Sequence, residues 1–213
     1  MALTSHPFRS ARLFYRAIES PVDDDFFHAL QHDPFSYDTS TPGLTTPVGR
    51  TLSTKIRETF QKALLGVIIC LPTTDDNLRL AGEGINRSDL IKPSLVRDEP
   101  YDSGIPIGAM SLDREGDGPR YVHHRKAGVS IDIAPKYQRK GFGREALVWL
   151  LDYGFTHANL HRISIRVLGW NDGGFKLYQS IGFKIESRER ESWWHNGAWH
   201  DDIGLGEYIH KYP

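Results

Sequence analysis

Residues 138 to 144 read Gln-Arg-Lys-Gly-Phe-Gly-Arg, and a strongly periodic helical run follows at once. The start of a helix leaves backbone N–H groups without partners and concentrates partial positive charge there. Gly141 and Gly143 lack the side chains that would keep a bulky anion away from those groups. Arg139, Lys140 and Arg144 add full positive charges at an end where helices ordinarily carry acids. A bound anion resolves that conflict, and diphosphate is the natural candidate. The dipole alone supplies only about 0.3–1 kcal/mol, so tight binding needs the N–H groups and the side chains together. A glycine turn with a solvated basic rim explains the same residues, and the loop alone leaves both readings open. The P-loop pattern Gly-x-x-x-x-Gly-Lys-Ser/Thr is absent here. The dinucleotide fingerprint also fails, because position 146 is Ala and the preceding residues are basic.

Other reactive residue types point to less. Cys70 is the single cysteine, which excludes an intramolecular disulfide or a cysteine metal cluster, and it lies in the apolar run LLGVIICL as a buried thiol. Ten histidines include His123-His124 and the pair His195 and His200, but none falls in a His-Glu-x-x-His or similar ligand pattern, so no metal is expected. A length of 213 residues suffices for one sizeable core without disulfides. The net charge of -1 gives no sign of a nucleic-acid partner. The start MALTSHPFRSARLF has no apolar signal core and no run approaches a membrane span, so a cytoplasmic protein is expected.

The elements that must hold this loop follow from periodicity. RLFYRAI reads as a strand, ESPVDDDFFHALQHD as a short helix with acids Asp23 to Asp25 at its start, and TLSTKIRETFQKAL as a helix with Leu52, Ile56, Phe60 and Leu64 on one face. LGVIICLP is a buried strand stopped by Pro72. Residues 73 to about 104 are polar and rich in turn residues, and read as a loop insertion. IPIGAMSLD is a strand. In GVSIDIAP, Val129, Ile131 and Ile133 share one face, with Ser130 and Asp132 on the other. A helix over Arg144 to Asn159 has the stripe Leu147, Leu150, Leu151, Phe155 and Ala158. HRISIRVLGWN is a strand, GFKLYQSIGF a short helix ending at Gly182, and Asn196-Gly197 turns a closing hairpin. These elements predict one mixed α/β domain over residues 1–213.

Two stretches carry a family resemblance. Gln138-x-x-Gly141-x-Gly143 directly after IDIAP resembles the acyl-CoA signature of the GNAT superfamily of N-acyltransferases. HRISIRVLGWNDGGFKLYQSIGF resembles that family's second signature, with Asn171 at a strand end and Tyr178 on the short helix before Gly182-Phe183. The signatures cover about residues 128 to 184, and the order of the other elements extends the likeness over nearly the whole chain. Gly173-Gly174 departs from the pattern, since poor helix formers follow the asparagine.

The resemblance implies a GNAT fold: a mostly antiparallel twisted sheet flanked by helices, with one parallel pair, SIDI and RISIRV, splayed into a cofactor wedge. It implies that acetyl-CoA pairs along Ile131 and Ile133, that the N–H near Ile133 polarises the thioester carbonyl, and that the diphosphate rests on Gln138, Arg139, Lys140, Gly141, Phe142, Gly143 and Arg144. Asn171 would hold the cofactor arm and Tyr178 would protonate the leaving thiolate. An amine of pKa about 10.4 costs roughly 4–5 kcal/mol to deprotonate at pH 7, so a base is needed. Asp132 is the first candidate, with Glu186 and the acids of 73 to 104 behind it. Trp193, Trp194 and Trp199 either wall the acceptor pocket or pack across the strands. The expected activity is transfer of an acetyl group to a primary amine by direct attack, with a small-molecule acceptor preferred over a protein amino group. A non-catalytic acyl-CoA sensor is the alternative. A monomer or homodimer is expected, with no nucleic-acid or membrane partner.

Overall fold

The computed structural model describes residues 7–44, 46–82, 87–92, 101–114 and 119–209. Strand β1 (Phe14–Ala17) leads through helices α1 (Asp24–His32), α2 (Pro34–Ser40) and α3 (Arg50–Lys62) to β2 (Leu65–Leu71). The stretch expected as a loop insertion carries α4 (Asp75–Ala81), α5 (Arg87–Leu90) and a small hairpin of β3 (Ile91–Lys92) with β4 (Tyr101–Asp102). Its residues 83–86 and 93–100 lie outside the described residues. Then come β5 (Ile105–Arg114), a 3₁₀ turn (Pro119–His124), β6 (Lys126–Ile133), α6 (Phe142–Asp152), β7 (Arg162–Leu168) and α7 (Asp172–Ile181). Strands β8 (Lys184–His195) and β9 (Ala198–Tyr208) close the chain. Asn196 and Gly197 turn that hairpin with both φ angles positive, +45° and +85°, as a primed turn requires.

Seven strands form one sheet in the order β1-β2-β5-β6-β7-β9-β8, and β6 with β7 is its single parallel pair. The alternation of side chains gives the inner part of the sheet two apolar faces. Ile69, Met110, Leu112 and Val129 pack with Leu147, Leu150 and Leu151 of α6 on one face. Ile68, Cys70 and Ala109 pack with Phe27 and Leu30 of α1 and Phe60 of α3 on the other. Each fully buried Leu or Phe contributes about 1.5–3 kcal/mol over an exposed one. Helices α1 and α3 pack mainly on the β1-β2-β5 side, so the same face of β6, β7 and β9 carries polar residues and lines a cavity.

Several expected element ends and faces shift. The α3 stripe turns by one residue: Leu52 is 39% exposed, while Ser53, Arg57 and Phe60 are buried. The buried Arg57 guanidinium is compensated by Asp24 of α1 at 2.7 Å, a partner that spacing within one helix does not reveal. Helix α6 starts two residues earlier than expected and continues in π geometry over Tyr153–His157. Strand β8 is an edge, consistent with its alternating charges. Among the described residues no helix is long and apolar enough to cross a membrane, and no group of three or more His, Cys, Asp or Glu could hold a metal ion.

Candidate active site

The wedge arises where the parallel pair runs out of hydrogen bonds. Strands β6 and β7 are in register at Lys126 with Arg162, Ala127 with Ile163 and Gly128 with Ser164, and not beyond. Residues Val129 to Ile133 keep β5 on one side, so their other backbone edge has no strand partner. Such an edge is a template for an extended ligand. It opens on a cavity of about 1680 Å³ lined by both strands, by the 138–144 loop and by α7, with Ile131 and Ile133 among the lining residues.

At the end of β6 the loop turns back on itself. Gln138 donates its side-chain amide N–H to the Ile133 carbonyl at 2.8 Å, which ties the loop to the strand. Gly141 is the N-cap of α6 with φ +83°, the left-handed region that favours glycine. Arg139 is also left-handed at +57°. Gly143 lies inside the first helical turn, and a Cβ there would meet Leu177 and Ile133 only at 3.6 and 3.7 Å, so no tight protein contact fills that space. Arg139 and Lys140 are exposed, whereas Arg144 is engaged, donating to the Ser180 hydroxyl at 2.7 Å and the Ser180 carbonyl at 3.2 Å on α7. Phe142 is buried under the loop.

Arg12 is the residue that sequence reasoning missed. Its guanidinium donates to the Lys140 carbonyl at 3.1 Å and to Glu145 at 2.7 Å, and covers the Phe142 ring at 4.6 Å. Burial favours the neutral form of Glu145, but the hydrogen bonds from the Arg12 backbone, Ser10 and the Arg12 guanidinium outweigh it and hold the carboxyl below its ordinary range. Arg12 thus clamps the glycine loop from outside. Arg12→Ala is expected to weaken coenzyme A binding about tenfold in calorimetry, equivalent to about 1.4 kcal/mol, with turnover at saturation little changed.

Asn171 caps α7. Its carbonyl oxygen accepts from Gly174 N at 2.8 Å, and its amide donates to the Thr39 carbonyl of α2 at 3.0 Å. Both ends of the amide thus have a protein partner, and Asn171 also lines the cavity. The cap also explains the unexpected glycine pair. A Cβ on Gly174 would lie 2.9–3.0 Å from the Asn171 side chain, so the tight cap requires glycine despite its cost of about 1 kcal/mol in a helix. Beside it, Trp170 donates to the Asp38 carbonyl at 2.8 Å and stacks on His195 at 4.1 Å, and His195 lies 3.4 Å from the Asp38 carboxylate. These contacts fasten α2, whose Thr39 and Ser40 line the cavity, to the end of β7. Trp193 lines the cavity and donates to Asp202 at 2.9 Å. Trp194 and Trp199 instead pack on each other, and both are largely exposed.

Tyr178 and Asp132 both line the cavity. Burial, reinforced by the nearby Asp132 carboxylate, pushes the Tyr178 hydroxyl up to about 12. The ring packs edge-on to Phe183. Burial pushes the Asp132 carboxyl up to about 6, against opposing hydrogen bonds from Gln31 and Ser40. Gln31 approaches it at 3.4 Å. Among the described residues the other acid–base candidates do not line the cavity, and Glu83, Asp98 and Glu99 lie outside the described residues. Glu186 is held below its ordinary range by a hydrogen bond from Arg162, with Tyr208 donating to it at 2.8 Å. Asp102 caps the 73-turn through Thr73. Cys70 is fully buried, its thiol pushed up to about 12 by desolvation, and it does not line the cavity.

A sheet with one splayed parallel pair, a glycine-capped basic loop at the wedge and a tyrosine facing a carboxylate defines an acyltransferase type of site. The chain belongs to the GNAT acetyltransferase family: the model of the acetyltransferase (GNAT) domain matches residues 12–184. Spermidine N(1)-acetyltransferase of Escherichia coli K12 is 33% identical over 89 residues, which is 42% of this chain and 48% of that protein. The enzyme of the same name from Vibrio cholerae is 41% identical over 78 residues, 37% and 45% of the two chains. The chain thus spans about half the length of the curated relatives it matches. In fold it is similar to the Vibrio cholerae spermidine N-acetyltransferase solved with CoA and spermine (TM-score 0.67, 22% identity, covering 95% of this chain and 99% of that one). A Bacillus anthracis GNAT acetyltransferase gives a TM-score of 0.66 at 18% identity, with 94% and 97% covered.

Proposed function

We propose that this chain is a single N-acetyltransferase domain that moves an acetyl group from acetyl-CoA to a small cationic amine. The observation that carries the acceptor is the division of charge within the cavity. Arg139 and Arg144 of the loop and Lys176 of α7 line it against the single acid Asp172, a balance of three bases to one acid. From the sheet, Asp113, Asp132, Glu189 and Asp202 line it against the single base Arg166, a balance of four acids to one base. Arg166 is itself neutralised by Asp202 and Glu189. An anionic cofactor suits the first set and a protonated amine suits the second. The spermidine acetyltransferase relatives support an acceptor of this kind.

Acetyl-CoA supplies an activated thioester carbon. The unpaired edge of Val129–Ile133 holds the pantetheine arm, and the N–H near Ile133 donates to the carbonyl oxygen as charge develops there. Gln138, Arg139, Lys140, Gly141, Phe142, Gly143 and Arg144 form the diphosphate cradle, with Arg144 turning from Ser180 or acting through its charge. Asp132 accepts the proton of the attacking amine, and Tyr178 gives its phenolic proton to the leaving sulfur. Asn171 acts by capping α7, which aims Tyr178, and by fastening α2. Direct attack is supported by the position of Cys70, buried away from the cavity, which leaves no thiol to carry the acetyl group.

Release of free thiol from acetyl-CoA across a panel of monoamines, diamines, polyamines, amino acids and peptides tests this reading. Turnover with small cationic amines and none with peptides is expected. Peptide turnover would favour a protein acetyltransferase, and coenzyme A binding without turnover on any amine would favour a sensor.

A further inference from the structure

A second cavity of about 350 Å³ lies at the opposite end of the parallel pair from the wedge, where β6 and β7 begin. Its basic side chains are Arg114, His123, Arg125 and Lys126, and among the described residues no aspartate or glutamate lines it. That is unusual for this molecule. Most arginines of the described chain sit against a carboxylate, Arg16 on Asp23 and Arg188 on Asp201 among them. The exceptions include Arg139 at the cofactor loop and Arg114 and Arg125 here. Glu186, on which Lys126 acts electrostatically, is already held by Arg162 and Tyr208.

Arg125 is also held in place. Its backbone is left-handed, φ +50°, and its guanidinium donates to the Asn159 side-chain oxygen at 2.9 Å. Asn159, on the cavity wall, is left-handed too, at +53°. The turn is locked by the Arg125 carbonyl, which accepts the N–H groups of His161 at 2.7 Å and Arg162 at 3.3 Å. The backbone of Arg125 is thereby fixed at the cavity, and one guanidinium nitrogen is held to the Asn159 wall. The rest of the lining is apolar or aromatic, with Leu160 buried and Tyr121 about half exposed.

We propose that this cavity is an anion site, separate from the acyl-CoA wedge, that takes a small organic phosphate. The arginine forks would hold the phosphate oxygens in pairs, and Tyr121, Leu160 and their apolar neighbours would cover the organic body. The volume is near the lower end for small-molecule pockets, which fits a monophosphate of one ring and excludes coenzyme A itself.

Calorimetry on the full chain with phenyl phosphate tests the site, in the absence and presence of saturating coenzyme A. Arg125→Asn removes the guanidinium but keeps a residue that tolerates left-handed backbone, and Arg114→Gln removes the second charge. The expected result is one site per chain, unaffected by coenzyme A and weakened at least tenfold in either variant. Inorganic phosphate and phenol should each bind at least tenfold more weakly than phenyl phosphate. Arg190→Gln, a cation on the edge strand, should leave binding unchanged. Absence of binding, displacement by coenzyme A, or equal binding by folded Arg125→Asn and Arg114→Gln proteins would overturn the proposal. The outcome is independent of whether the chain turns over an amine.

Discussion

Asp132→Asn is expected to lower kcat/KM for the amine by about 10²–10⁴-fold, the range for loss of a positioned general base. The asparagine keeps the size and the contacts near Gln31 and Ser40 but cannot accept the proton. Because burial raises the Asp132 carboxyl to about 6, the native enzyme should show an acidic limb in its kcat/KM profile near that pH. The limb should vanish in the variant. Stability should move the other way. The folded carboxyl binds protons more tightly than the unfolded one, whose ordinary value is 3.8. Its favourable contribution is therefore complete below about pH 4 and is lost as pH rises through 6. Asp132→Asn should gain stability relative to the native chain at pH 8, by at most about 3 kcal/mol, and gain little at pH 4. Thermal melts at the two pH values read this directly. A variant that keeps its rate within threefold and retains the acidic limb would remove Asp132 from the mechanism.

Tyr178→Phe is expected to reduce kcat about a hundredfold, a barrier increase of about 2.7 kcal/mol, while coenzyme A affinity stays within threefold. The ring keeps its packing on Phe183, and among the described residues the hydroxyl has no hydrogen-bond partner whose loss would destabilise the fold. The melting temperature should accordingly move little. With the phenol pushed up to about 12, it stays protonated throughout the assay range, so the native profile should carry no limb from it near neutrality. Single-turnover thiol release separates this role from packing: a structural tyrosine would change binding and stability before it changed the chemical step.

Much of the architecture is legible in the sequence. The strands LGVIICL and RISIRV, the helix behind the glycine pair and the Asn196-Gly197 turn each announce themselves within a dozen residues, because periodicity and turn chemistry are local properties. Helix α2 was not anticipated. It is seven residues long, begins at Pro34 directly after α1, and owes its position to Trp170 and Asn171 far along the chain. The rotated face of α3 was missed for the same kind of reason, since Arg57 is buried only because Asp24 of another helix meets it.

The candidate site divides along the same line. Residue types and spacing give the anion-ready loop, and the family resemblance adds the acyl-CoA reading, with Tyr178 as the proposed acid and Asp132 as the first candidate base. Folding decided the state of those groups and the company they keep. Arg12 reaches Glu145 across 133 residues, Asn171 reaches Thr39 across 132, and Gln31 reaches Asp132 across 101. Such contacts set desolvation, clamp the loop and tie the asparagine to α2. They depend on distance in space and on the burial that packing creates, and neither is a function of neighbouring residues in the chain.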